Sequence, residues 1–193
     1  MVNKIPAELD NPIDTIIYNH IDEQLDLFKN LKLTPNLITT ISLICGLGSV
    51  YNVYKNNYII GAILWFLSYY FDCADGKMAR KFKMTSKFGD VYDHTSDIIK
   101  HLLLFYVLYN KLNSVNSQLK LTAIIILFII IILTCAQIGC QEKINKTDSA
   151  MLSFTTKFIF CDCKTQMKYT RYFSPATLTL YLILIMLLLN EYE

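Results

Sequence analysis

The run AIIILFIIIIL, residues 123–133, is the clearest signal in the chain: it reads as a helix lying within a bilayer. It belongs to an apolar stretch from Leu119 to Gln137, near the ~20 residues a helix needs to cross the hydrocarbon layer. Other stretches follow the same pattern. Residues 36–54 (NLITTISLICGLGSVYNVY) are of near-spanning length, and Pro175 to Leu189 is almost wholly apolar. A stretch from Tyr58 runs through YIIGAILWFLSYYF into Asp72, and one from Phe88 starts polar and becomes apolar from Ile98 to Tyr109. These last two reach spanning length only if their polar ends also sit at or below the interface. Composition agrees, since 18% charged residues is short of the roughly one quarter of a water-soluble domain. The expected fold class is all-α, a multi-pass transmembrane helix bundle with five clear spans and a sixth open.

Charge placement orients the bundle. Lys77, Arg80, Lys81, Lys83 and Lys87 fall in one connection, and Lys143, Lys146, Lys164, Lys168 and Arg171 in another. Five spans would put both basic clusters in the cytoplasm, as the bias of Lys and Arg toward that side requires. Segment 148–163 is short and carries Lys157, which favours an interfacial or re-entrant piece over a sixth span. On that topology the sequon Asn145-Lys146-Thr147 is cytoplasmic and unused. Ahead of the spans, Ile13, Ile17, Ile21, Leu25 and Phe28 recur at helical spacing after an Asn11 cap and Pro12. This predicts an amphipathic helix that either packs on the protein or, as preferred here, lies in the interface. The expected organisation is therefore 1–33 as interfacial helix and 34–193 as the membrane domain. The first ten residues show no cleavable signal. A net charge of +2 gives no general attraction to nucleic acid, and the six cysteines contain no CxxC pair, so zinc and disulfide frameworks are not expected.

Acids stand where apolar helices leave no solvated turn. Asp72 follows FLSYYF directly and Asp97 precedes IIKHLLLF. Asp72 and Asp75 are three apart and share a helical face, while Gly89, Asp93 and Asp97 are spaced by fours along one stripe. The short connection between the two segments predicts antiparallel neighbours whose acidic faces converge. A single Asp in such a loop would be a solvated turn residue, as Asp90 is expected to be. The set is different, because an acid within a membrane costs ~2.5–3.5 kcal/mol at mid-depth and persists where function requires it. An all-oxygen cluster suits Mg²⁺ or Mn²⁺, and two such ions could clamp a phosphoryl group. Gly76 and Gly89 leave room for close approach of a phosphate or ribose, and Arg80 offers a fork of donors.

The pattern Asp72-x2-Asp75-Gly76-x2-Ala79-Arg80-x8-Gly89-x3-Asp93-x3-Asp97 resembles the full signature of the CDP-alcohol phosphatidyltransferase family. The segment TPNLIT, residues 34–39, also resembles the start of that family's first membrane helix. The resemblance implies a six-helix membrane bundle, commonly a homodimer, with its cavity open to the cytoplasm. It implies that Asp72, Asp75, Asp93 and Asp97 face two divalent ions, that Asp97 is also the general base, and that Gly76, Ala79, Arg80 and Gly89 bind the CDP group. The substrate would be a CDP-alcohol, foremost CDP-diacylglycerol, and the acceptor a small alcohol such as inositol, with release of CMP. His94 after Asp93 resembles the choline and ethanolamine phosphotransferases, whose acceptor is diacylglycerol. Candidates for an acceptor pocket are Gln137, Gln141, Lys100 and His101, against the plainer readings of helix-packing hydrogen bonds for the glutamines and charge balance for Lys100 and His101. A reading from another class is a divalent-cation carrier, which has no need of Arg80 or of the spaced glycines.

Overall fold

A computed structural model describes residues 9–145 and 153–192. The helices are α1 (Pro12–Asn30), α2 (Pro35–Tyr54), α3 (Tyr58–Lys81), α4 (Lys87–Lys111), α5 (Ser117–Asn145), α6 (Cys163–Thr170) and α7 (Pro175–Tyr192), with 3-10 turns at Leu112–Ser114 and Ser153–Phe158. No strand occurs among the described residues. The expected all-α class is met.

Local chemistry sets the helix starts. The Asn11 side chain accepts from the Ile13 N–H at 2.8 Å, Thr34 caps α2 at 3.3 Å, and Ser86 caps α4 by accepting from Gly89 N–H at 3.0 Å. Each satisfies a donor that the first turn leaves unpaired. Lys32, Asn56 and Lys83 have positive φ just past the ends of α1, α2 and α3. Such a left-handed residue is a common way to stop a helix, here in all three cases without glycine.

Packing inverts the usual arrangement of a soluble protein. The buried stripe of α2 is Ile38, Thr39, Ser42, Gly46, Ser49 and Val53, largely small and polar. Outward-facing residues include Ile44, Leu102, Tyr106, Phe128 and Leu184, all at least half exposed. Three stretches, Pro35–Tyr54, Ser117–Ile144 and Cys163–Tyr192, are long and apolar enough to cross a membrane. The small stripe lets α2 pack closely on both α3 and α4. Ser49 Oγ donates to the Gly61 carbonyl at 2.7 Å and Ser42 Oγ to that of Ser68 at 2.9 Å, the interhelical bonds expected where lipid supplies no hydrophobic drive. By contrast, α3 and α4 do not pack backbone against backbone as their short connection suggested. Long side chains bridge them instead, among them Trp65 edge-on to His101 with centroids 5.0 Å apart.

The apolar stripe of α1 goes to protein. Ile21 and Leu25 are fully buried with Ile38, Ala74 and Met78, and Ile17 and Phe28 pack alongside. Ionic contacts fix the register: Lys77 Nζ lies 2.6 Å from Asp22 and 2.9 Å from the Tyr18 carbonyl. Asp14 is buried and accepts from the Tyr69 hydroxyl. Desolvation pushes its carboxyl above the ordinary value, and that of neighbouring Asp10 to about 6.

The sequence reading stopped the fourth membrane stretch at Gln137, but α5 continues to Asn145. It also assigned nothing at 163–170, where α6 forms behind an Asp162 cap. Apolar periodicity could not flag so short and polar a helix. Of segment 148–163, residues 148–152 lie outside the described residues, as do Lys146 and Thr147 of the sequon. The described remainder begins as a single short 3-10 turn. That turn packs on α5 at Gly139, where an added Cβ would come within 2.8 Å of the Thr155 carbonyl carbon. Gly139→Ala is therefore expected to destabilise the protein by about 1–3 kcal/mol through overpacking against backbone. A lowered melting temperature in detergent would show it, and an unchanged one would contradict the contact.

Candidate active site

Three helices supply the site. The C-terminal half of α3 carries Asp72, Asp75, Gly76, Ala79 and Arg80, and the N-terminal half of α4 carries Gly89, Asp93 and Asp97. The start of α2 adds Pro35, Asn36 and Thr39. Residues of all three helices line one cavity at this end. One carboxylate oxygen each from Asp72, Asp93 and Asp97 lies within 4.8 Å of the other two. The fourth acid is held differently. Asp75 is buried, and its Oδ2 accepts from Thr39 Oγ1 at 2.5 Å.

Lys100, one turn beyond Asp97, reaches into the cluster. Its Nζ lies 2.7 Å from Asp97 Oδ1, 3.1 Å from Asp72 Oδ1 and 2.9 Å from Ser42 Oγ. Four carboxylates set against Lys100 and Arg80 leave an excess of two negative charges if all are ionised. Asp93 Oδ1 is buried without a hydrogen-bond partner in the structure, and so is Arg80 Nε. Buried polar atoms are nearly always paired, so such orphans point to a missing partner. An oxygen-only donor set with an orphaned carboxylate oxygen and surplus negative charge fits a hard divalent cation.

Beside the carboxylates is a cavity of about 250 Å³. Gly76, Ala79, Arg80 and Gly89 all line it, together with Asp75, Asp93, Asn36, Ser86, Asp90, His94 and Glu142. The two glycines keep it open in different ways. A Cβ at Gly76 would meet the Arg80 Nη1 at 3.1 Å, and one at Gly89 would meet Asn36 Oδ1 at 3.0 Å. Asp90, expected to be a solvated turn residue, reaches the rim, where its carboxylate lies 3.3 Å from His94 Nε2.

The remaining candidates do not gather here. Gln137 is buried, accepts from Thr170 Oγ1 at 2.7 Å and donates to the Leu9 carbonyl at 3.3 Å. These are packing contacts that tie α5 to α6 and to the chain start. Neither Gln137 nor Gln141 lines the cavity, whereas Glu142 does. His101 turns its Nδ1 to the Asp97 carbonyl at 2.8 Å and sits between Trp65 and Phe105. Thr39, Asn36 and Glu142 were not singled out in the sequence. The first two fall in the TPNLIT segment, which was a signal; Glu142 carried none.

Comparison with known proteins gives the same direction. A CDP-diacylglycerol–serine O-phosphatidyltransferase of Helicobacter pylori is 34% identical over 86 residues, covering 42% of this chain and 36% of that protein. An archaetidylinositol phosphate synthase of Pyrococcus horikoshii is 30% identical over 97 residues, covering 50% of this chain and 47% of that protein. An uncharacterised class-I family protein of Dictyostelium discoideum is 34% identical over 83 residues, covering 37% of this chain and 20% of that protein. The matches thus span less than half the length of each of these relatives. No solved structure matches the chain. Residues 32–192 match the CDP-alcohol phosphatidyltransferase family as a whole, taking in α2, α3 and α4 and every carboxylate of the cluster, and the chain belongs to that family.

Proposed function

We propose that this protein transfers a phosphatidyl group from CDP-diacylglycerol to a small polar alcohol and releases CMP. The observation that carries the proposal is the convergence of Asp72, Asp93 and Asp97 beside a cavity lined by Gly76, Ala79, Arg80 and Gly89. Phosphoryl transfer needs little covalent help from a protein; it needs positioning and compensation of charge. Bound at the carboxylates, Mg²⁺ or Mn²⁺, two ions in this reading, would supply charge stabilisation for the diphosphate and its leaving oxygen. Asp72, Asp75 and Asp93 would hold these ions, with Asp97 also facing them. Thr39 fixes the Asp75 carboxylate, so its orientation is set before substrate arrives. Arg80 holds a phosphate through its guanidinium, and the glycines leave the nucleotide room.

Asp97 acts as the base. The acceptor hydroxyl oxygen forms a bond to the β-phosphorus, the bond from that phosphorus to the CMP oxygen breaks, and the hydroxyl proton passes to Asp97. Its geometry on α4 rather than a shifted pKa is what the role requires. In the same reading α3 and α4 cross the membrane with their acidic ends near the cytoplasmic surface. The α1 helix lies along that surface, residues 34–193 form the membrane domain, and two copies associate. Both enzymes named among the relatives act, by their names, in lipid headgroup synthesis, which favours this chemistry over transfer of an aminoalcohol phosphate.

The test is CMP release by the purified protein with CDP-diacylglycerol and a panel of hydroxyl acceptors, with and without a chelator. Release with one acceptor, abolished by chelation and restored by Mg²⁺ or Mn²⁺, is the expected result. Metal flux into liposomes without CMP release would support a cation carrier instead.

A further inference from the structure

Lys100 enters the carboxylate cluster through a slot made for it. Its side chain starts on α4, is almost fully buried, and passes between α2 and α3. A Cβ at Gly46 would stand 3.0 Å from Lys100 Cδ and 3.1 Å from Ser68 Oγ. Only a residue without a side chain leaves the stem its present path. At the far end the ammonium meets Asp97 Oδ1 at 2.7 Å, Asp72 Oδ1 at 3.1 Å and Ser42 Oγ at 2.9 Å. Its protons go to Ser42 Oγ and Asp72 Oδ1 as hydrogen bonds, with Asp97 Oδ1 in ion-pair contact. Asp93 Oδ1, on the cavity side, receives none of them.

We propose that the Lys100 ammonium occupies one of two cation positions in the cluster and competes there with a divalent ion. The inference rests on the metal reading given above. Its physical basis is direct. An ammonium and a hard metal ion both seek carboxylate oxygens, and two of the three gathered carboxylates already touch the ammonium. A divalent ion bound between Asp72 and Asp97 would either displace Lys100 or stand against an unscreened like charge in a poorly polarisable surrounding. The position toward Asp93 carries no such penalty. The protein therefore holds one divalent ion firmly and the other weakly, and Lys100 sets the difference. A plain charge-balancing lysine would instead keep the carboxylates in place and assist metal binding.

Mn²⁺ titration of the full chain in detergent, followed by electron paramagnetic resonance without substrate, separates these cases. Lys100→Met is expected to tighten the weaker Mn²⁺ position by about 10- to 100-fold, the scale on which neighbours of metal ligands act. Lys100→Arg, which keeps the charge, should bind Mn²⁺ no more tightly than wild type. Ser42→Ala removes one anchor of the ammonium and should tighten the weaker position to a smaller extent. It also serves as the deciding variant if Lys100→Met does not fold. Wild-type Mn²⁺ binding with equal or weaker binding by Lys100→Met, or by Ser42→Ala in its place, would overturn the proposal. Absence of Mn²⁺ binding by folded wild-type protein would overturn the metal reading itself, and this inference with it.

Discussion

Asp97→Asn is expected to slow CMP release by about a thousandfold, within the range that a positioned general base contributes, while CDP-diacylglycerol affinity stays near wild type. Asparagine keeps the shape of the side chain and an oxygen for the Lys100 ammonium, now 2.7 Å from Asp97 Oδ1. It loses the capacity to take a proton. Substrate affinity rests instead on the cavity lined by Gly76, Ala79, Arg80 and Gly89, which the substitution leaves untouched. Single-turnover assays beside equilibrium binding of the CDP-lipid separate the two effects. Binding and turnover lost in equal measure would make Asp97 a metal ligand and remove it as the base.

The second large effect is expected far from the chemistry. Asp22→Ala should destabilise the protein by about 3 kcal/mol, the lower end of the range for removing one partner of a buried ion pair. The lower end applies because Asp22 keeps 27% of its side-chain surface exposed, and Lys77, 3% exposed, retains the Tyr18 carbonyl at 2.9 Å. Lys77 immediately follows Gly76, so the strain falls on the turn of α3 that carries Asp75 and Arg80. A double variant, Asp22→Leu with Lys77→Leu, should recover most of the loss, since no stranded charge remains. Thermal unfolding of all three proteins in one detergent decides the matter. A single variant as stable as wild type would mean that α1 is not held by this pair.

Much of the site could be read from spacing alone. Three- and four-residue intervals place side chains on one helical face whatever the surroundings, and so Asp72 with Asp75, and Asp93 with Asp97, were paired before any coordinates. Capping was equally legible at Asn11, where a short polar side chain precedes a proline. Distances between helices were not. Nothing in the order of residues says that Asp75 turns to Thr39 while Asp72 and Asp97 meet Lys100 and Asp93 stands beside them. That division depends on α2 lying against both motif helices, a tertiary fact. The small residues of α2 find their partners on other helices. The amphipathic α1 shows the limit most plainly. Its stripe predicts a buried face, yet lipid and protein demand the same stripe, and only Ala74 and Met78 beneath Ile21 and Leu25 identify the surface it meets. The α6 helix was missed because eight residues, of which only Cys163 and Met167 enter the apolar core, give no periodic signal.

The seam of Ser42, Gly46, Ser49 and Gly61 has a consequence for how such a chain can vary. At Gly61 an added Cβ would stand 2.6 Å from Val53 Cγ2, and at Gly46 it would press on the lysine stem that ends among the acids. A single methyl group on an inert residue is thereby transmitted to the reacting centre through rigid contact. Sequence tolerance at Ser42 and Gly46 is consequently set by the geometry of the carboxylates, although neither residue lines the cavity.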